Sequence, residues 1–124
     1  ILAGAVSISL GSAITLQMNK NNKQIVVAGF GEAAADEGVF WESINYAGLK
    51  KLPIIFICEN NNYSVFSPQS KRLGGGGISE RAKAFGVKSK AIFGNDVCLV
   101  HAELKKAILN LLLRRDYKAM SILK

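Results

Sequence analysis

Two short segments carry groups that could do chemistry together: Gly31, Glu32, Ala33 and Ala34, and Asn60, Asn61, Asn62 and Tyr63. The first sets one carboxylate among small residues. The second offers a run of carboxamides. Hard oxygen donors from two such segments suit Mg²⁺, which takes one or two carboxylates and fills the rest of its shell with a substrate's phosphate oxygens and water. The small residues let backbone N–H groups approach a diphosphate. Glycine and asparagine also follow strands simply because turns favour them, so the pattern alone leaves a plain pair of turns and a metal–diphosphate site both open.

The two segments meet only if the elements before them are parallel neighbours. Gln24 to Phe30 (QIVVAGF) and Ile54 to Cys58 (IIFIC) are apolar, β-branched runs that predict strands buried on both faces. Gly31 to Gly38 reads as a loop, and Val39 to Lys50 as a helix with Phe40, Ile44 and Ala47 on one side. Pro53 prevents that helix from continuing. A right-handed crossover then places both strands in one sheet, with their carboxyl ends opening on the same side. Ligands of open α/β sheets bind outside those ends.

Upstream, Gly4 to Lys20 predicts a helix, with Val6, Leu10, Ala13 and Ile14 near helical spacing. Downstream, ENNNYSVFSPQSKR reads as a polar loop, and Gly74 to Gly77 as a flexible connection without the Lys-Ser or Lys-Thr of a P-loop. Ser79 to Phe85 is a short helix, Lys88 to Phe93 a third strand, Val97 to Arg114 a helix capped by Asp96, and Ala119 to Leu123 a fourth strand. This alternation predicts an α/β fold: a three-layer parallel sheet with helices on both faces. At 124 residues, with 49% hydrophobic and 20% charged, residues 1–124 read as a single domain with a core of useful size. A disordered or collagen-like chain is excluded.

Charge is unevenly spread: residues 1–62 carry four basic and five acidic side chains, residues 63–124 twelve and four. No aromatic ladder interleaves with the basic pairs, so they read as a solvated face or a subunit contact before a nucleic-acid surface. Ile1 to Met18 is uncharged, but its Ser, Thr, Gln and Gly content and its length favour a buried helix over a membrane span. It lacks the basic start of a signal peptide. Because the chain does not begin with Met, a piece of a longer protein is expected. Cys58 and Cys98, both in apolar runs, read as buried free thiols of a cytoplasmic protein. His101 is the one histidine, which argues against zinc, and it reads as a helix-surface residue. Phe40 and Trp41 read as helix packing, Asp36 and Glu37 as helix-start carboxylates, and Lys50 and Lys51 as solvated. Glu59 reads either as a neighbour of Asn61 or as a satisfied loop residue.

The stretch VVAGFGEAAADEGVFWESINYAGLKKLPIIFICENNNYSVFSP resembles the alpha subunit of thiamine-diphosphate-dependent 2-oxo acid dehydrogenases. The resemblance is strongest between Ile25 and Pro68, and extends less strongly through ILAGAVSISLGSAI upstream and FGV and GNDV downstream. It implies the thiamine-diphosphate-binding fold, with Mg²⁺ held by Glu32, Asn61 and the backbone carbonyl of Tyr63. It further implies that Gly31, Ala33 and Ala34 turn against the diphosphate and that Leu2 contacts the aminopyrimidine. Glu32 stands where the family usually has Asp, as branched-chain members also do, and Ala33 replaces the second motif glycine. A methyl at Ala33 is expected to crowd the phosphate or to demand a φ that alanine dislikes. The family's upstream Tyr-Arg and histidine segments and its downstream histidine loop are not in this sequence. The implied reaction is decarboxylation of a 2-oxo acid with acyl transfer to a lipoyl group on a partner acyltransferase. A beta-type subunit is implied as partner in a two-alpha, two-beta assembly, and the chain is expected to be inactive alone. A non-catalytic relic that keeps the fold without the cofactor is the alternative reading, and a nucleic-acid-binding module the third.

Overall fold

A computed structural model describes residues 2–19, 23–113 and the backbone of residues 119–123. Four parallel strands form the main sheet: β1 (Val26–Gly31), β2 (Ile54–Glu59), β5 (Ser89–Ile92) and β6 (Ala119–Leu123), in the order β1-β2-β6-β5. Register runs Val26 opposite Ile54 through Gly31 opposite Glu59, so β1 and β2 end level with each other. The last strand is not an appendage: β6 inserts between β2 and β5. A short antiparallel hairpin, β3 (Tyr63–Ser64) and β4 (Ser67–Pro68), stands apart from this sheet.

The core lies between β1, β2 and the helices α1 (Gly4–Met18) and α2 (Gly38–Lys50). Alternation decides which side chains enter it. Ala28 and Phe30 of β1, with Ile54, Phe56 and Cys58 of β2, meet Val6, Ala13, Phe40, Ile44 and Ala47 of the two helices. Phe40 is fully buried, with its ring centroid 4.9 Å from that of Phe30. Ile55 points to the opposite face of β2 and is buried as well. The helix α4 (Val97–Leu112) covers β2 and β6, and the fold has helices on both faces of a parallel sheet. Asp96 caps α4 as expected, accepting a hydrogen bond from the Leu99 N–H at 3.0 Å. The short helix α3 (Ile78–Ala84) packs on β5, β6 and α2.

Gly48 marks the tightest contact between elements. A Cβ there would lie 2.6 Å from the Phe85 carbonyl oxygen, so only glycine lets α2 approach the end of α3 so closely. The helix stops at Lys51, which takes a left-handed φ of 52° and places Leu52 N–H 3.1 Å from the Ala47 carbonyl.

Three sequence expectations are corrected. Residues 32–36, expected as loop, form a 3₁₀ turn (Glu32–Asp36), which Trp41 Nε1 ties to α2 by donating to the Ala35 carbonyl at 2.8 Å. The polar run after β2 holds the β3–β4 hairpin and a second 3₁₀ turn (Gln69–Lys71), closed at its base by Gln69 N–H donating to the Asn62 carbonyl at 2.7 Å. Cys98 is exposed on the first turn of α4, whereas Cys58 is buried. The first helix ends at Met18; Lys20 and Arg114, the expected ends of α1 and α4, lie outside the described residues. No described helix is long and apolar enough to cross a membrane.

Candidate functional site

Since all four main strands are parallel, their carboxyl ends open on one edge, and the segments that leave β1, β2 and β5 share a cleft. It measures about 630 Å³ and is lined by Gly31 at the end of β1 and Glu32 after it, Glu59 at the end of β2 with Asn60, Asn61 and Tyr63 after it, and Gly94 and Asn95 after β5. The carboxylate and the carboxamides therefore meet at the same place.

Each oxygen donor is positioned by its own backbone. Glu32 opens the 3₁₀ turn and is 3% exposed. Asn61 Oδ1 accepts the Tyr63 N–H at 2.9 Å, which fixes the direction of the amide while leaving the oxygen a second lone pair. Asn60 repeats this device, accepting the Asn62 N–H at 2.8 Å, and Asn62 takes a left-handed φ of 65° that asparagine tolerates. Tyr63 faces Pro68 across the hairpin. Proline has no N–H to give, so the Tyr63 carbonyl receives no ladder hydrogen bond from it. A Cβ at Gly31 would meet nothing within 4 Å; that side of the strand end is open space in the cleft.

Charge is concentrated here. Burial, and then the charges of Glu32 and Glu59, push the Cys58 thiol up to about 12, so it stays neutral. Arg72 binds Glu32 Oε1 with one terminal nitrogen and Asp36 Oδ2 with the other, and its Nε donates to the Ser67 carbonyl at 3.3 Å. Burial opposes the guanidinium's charge, but these two carboxylates hold its pKa above the ordinary value.

The donor set fits a hard divalent cation bound with a diphosphate: one carboxylate, one carboxamide oxygen and one unladdered carbonyl beside an open glycine. Among the described residues, no three His, Cys, Asp or Glu side chains gather to hold a metal, so a cation here depends on this mixed set.

The structure brings Gly31, Glu32, Asn61 and Tyr63 together on the cleft. Ala33 is half-buried in the 3₁₀ turn, and Ala34 is 2% exposed within the core. Ala33 is not among the residues with left-handed φ, so alanine meets no backbone strain there. Leu2 is exposed ahead of α1 and is not among the residues that line the cleft. His101 is exposed on α4. Sequence reasoning missed Gly94 and Asn95; their place after a parallel strand was the available signal. Arg72 gave no signal, since its partners are 36 and 40 residues away.

Known proteins share this arrangement of chain. The family described as dehydrogenase E1 component matches residues 1–110. The alpha subunit of the mitochondrial 2-oxoisovalerate dehydrogenase of Caenorhabditis elegans is 38% identical over 99 residues, covering 80% of this chain and 23% of that protein. The corresponding Bacillus subtilis subunit is 36% identical over 99 residues, covering 80% and 30%. The alpha subunit of the Bacillus subtilis acetoin:2,6-dichlorophenolindophenol oxidoreductase is 32% identical over 108 residues, covering 87% and 32%. The chain thus spans a quarter to a third of the length of these curated relatives. In fold, it superposes on a transketolase from Campylobacter jejuni with a TM-score of 0.77 at 22% identity, covering 98% of this chain and 19% of that one. A thiamin diphosphate-dependent enzyme from Mycobacterium smegmatis gives 0.72 at 25% identity, covering 95% and 21%.

Proposed function

The chain belongs to the dehydrogenase E1 component family, and we propose that it is the diphosphate-binding part of an alpha-type subunit of a thiamine-diphosphate-dependent 2-oxo acid dehydrogenase. The observation that carries this reading is the convergence of Glu32, Asn61 and Tyr63 on one cleft at the carboxyl edge of the sheet. Glu32, Asn61 Oδ1 and the Tyr63 carbonyl would hold Mg²⁺. Gly31, with Ala33 and Ala34 behind it, would admit the diphosphate, and Leu2 would lie toward the aminopyrimidine end. Thiamine diphosphate, when bound, supplies the carbon centre at which a 2-oxo acid loses carbon dioxide.

What this chain contributes is binding. Glu32 supplies negative charge to the cation, the carboxamide and carbonyl supply neutral oxygens, and the open face of Gly31 leaves room for phosphate oxygens. Following the family resemblance, a beta-type subunit is proposed to complete the site in an α₂β₂ assembly. The acyl group would pass to a lipoyl-bearing acyltransferase. A cytoplasmic setting is part of the proposal, whereas the named relatives in animals are mitochondrial.

The test is calorimetric titration of the full chain, assembled with its partner, with thiamine diphosphate in the presence and absence of Mg²⁺, comparing wild type with Glu32→Ala. Tight binding that needs Mg²⁺ in wild type and is lost in the variant is expected. Equal affinity in both proteins rejects the metal assignment, and no binding to either favours a non-catalytic subunit that keeps only the fold.

A further inference from the structure

Arg72 has no part in the reading just given, yet it touches both halves of the site. Its backbone is fixed: Arg72 and Leu73 N–H groups donate to the Gln69 carbonyl at 3.0 and 2.9 Å, and Leu73 packs against the core. Its guanidinium spans three acceptors: Glu32 and Asp36 of the 3₁₀ turn after β1, and the Ser67 carbonyl of the hairpin after β2. That hairpin also carries Tyr63. One planar group therefore joins the segment holding the carboxylate donor to the segment holding the carbonyl donor. Arg72 does not line the cleft. It approaches Glu32 through Oε1 alone, and no described protein group hydrogen-bonds Oε2.

We infer that Arg72 is a positioning residue for cation binding: it straps the 3₁₀ turn to the hairpin from behind, holds Glu32 by one oxygen, and presents the other to the cleft. The inference rests on the proposed cation site. A guanidinium suits this task because its fixed fork donates in several directions within one plane, which a single ammonium does not match. The opposing role is a latch that competes with the cation for Glu32; against it, Arg72 holds Oε1 only and is not among the residues that line the cleft.

The test is Mn²⁺ titration in the presence of thiamine diphosphate, followed by the electron paramagnetic resonance of free and bound Mn²⁺, on the full chain assembled with its partner. Wild type, Arg72→Gln, Arg72→Lys, Glu32→Gln and the Arg72→Gln/Glu32→Gln double variant are compared, with metal-free melting temperatures recorded for each. The strap predicts about tenfold weaker Mn²⁺ binding in Arg72→Gln, little rescue by Arg72→Lys, and a broader bound spectrum. It also predicts that Arg72→Gln adds nothing to Glu32→Gln, since the arginine acts through that carboxylate. Unchanged affinity with only a lower melting temperature overturns it, as does tighter binding, which would make Arg72 a latch. Additive losses in the double variant overturn it too. Absence of Mn²⁺ binding by wild type rejects the cation site itself and the strap with it.

Discussion

Replacing Gly31 should separate stability from binding, because the structure shows that this glycine is not needed for its backbone. Gly31 has φ −76° and ψ 155°, an extended conformation open to any residue. A Cβ there meets no atom within 4 Å. Gly31→Ala should therefore stabilise the fold by about 0.4–1 kcal/mol, because the unfolded chain loses freedom while the native state accepts the methyl. That corresponds to a rise in melting temperature of about 1–4 °C in a chain of this size or larger. The same methyl, and more so the valine of Gly31→Val, enters the space proposed for the diphosphate. Crowding a fitted contact costs about 1–3 kcal/mol, or about five- to 150-fold in affinity. Differential scanning fluorimetry without ligand and calorimetry with thiamine diphosphate and Mg²⁺ measure the two effects on the same samples. A melting temperature that rises while affinity stays at the wild-type value refutes the placement of the diphosphate beside Gly31. A melting temperature that falls in Gly31→Ala refutes the claim that the strand end is open.

Three further outcomes are expected. At pH 8 iodoacetamide should label exposed Cys98 and leave buried Cys58 unmodified in the native protein; because burial and then the Glu32 and Glu59 charges raise the Cys58 pKa from 9.0 to about 12, the unfolded thiol ionises first as pH rises. Native stability should then fall between those values by up to about 1.4 kcal/mol per pH unit, a slope that Cys58→Val should reduce in urea titrations. Lys90 Nζ lies 2.8 Å from Glu103 Oε1 and, chiefly through this hydrogen bond, lowers the Glu103 pKa below 4.5. This small stabilisation is present above the ordinary carboxylate range and lost as pH falls through the lowered value, so Glu103→Gln should reduce the melting temperature slightly at pH 7 and converge with wild type in acid. Gly48→Ala gains about 1 kcal/mol of helix propensity but drives a Cβ to 2.6 Å from the backbone oxygen of Phe85, and overpacking of about 1–3 kcal/mol should win, lowering the melting temperature without changing affinity for Mg²⁺ and thiamine diphosphate.

The strands and helices that build the cleft were legible because their signals are local. The apolar runs at residues 24–30 and 54–58 and the stop at Pro53 sufficed to place β1, α2 and β2 within two residues of their observed bounds. The parallel pairing followed from chirality, and with it the meeting of Glu32 and Asn61. What escaped depends on side-chain contacts and exposure that no local pattern encodes. The 3₁₀ turn at residues 32–36 adjoins the Trp41 indole bonded to the Ala35 carbonyl, and Arg72 acquires meaning only through partners on another loop. Cys98 sits in an apolar run, yet it lies on the exposed first turn of α4, whose one buried residue is Leu111. Of the two expectations about Ala33, a φ that alanine dislikes is not met, because Ala33 has no left-handed φ and the 3₁₀ turn accepts it without strain; crowding of the phosphate is left to the binding test.

Charge arithmetic links these local features to how the site would be filled. Glu32 is nearly buried, and part of its charge is already balanced by Arg72, which Asp36 shares. Glu59 adds a second carboxylate to the cleft wall. At the three proposed ligands a divalent cation entering alone would find one carboxylate already paired with Arg72 and two neutral oxygens, with Glu59 nearby, and would keep the rest of its shell as water. A diphosphate entering alone would face Glu32 and Glu59 with no counter-charge lining the cleft. Each lacks what the other brings: the cation turns the carboxylate wall into an anion site, and the phosphate oxygens fill the cation's remaining positions. The proposed site would therefore suit the pair rather than either member, and Arg72, which does not line the cleft, would contribute geometry to the cation without competing for the phosphate.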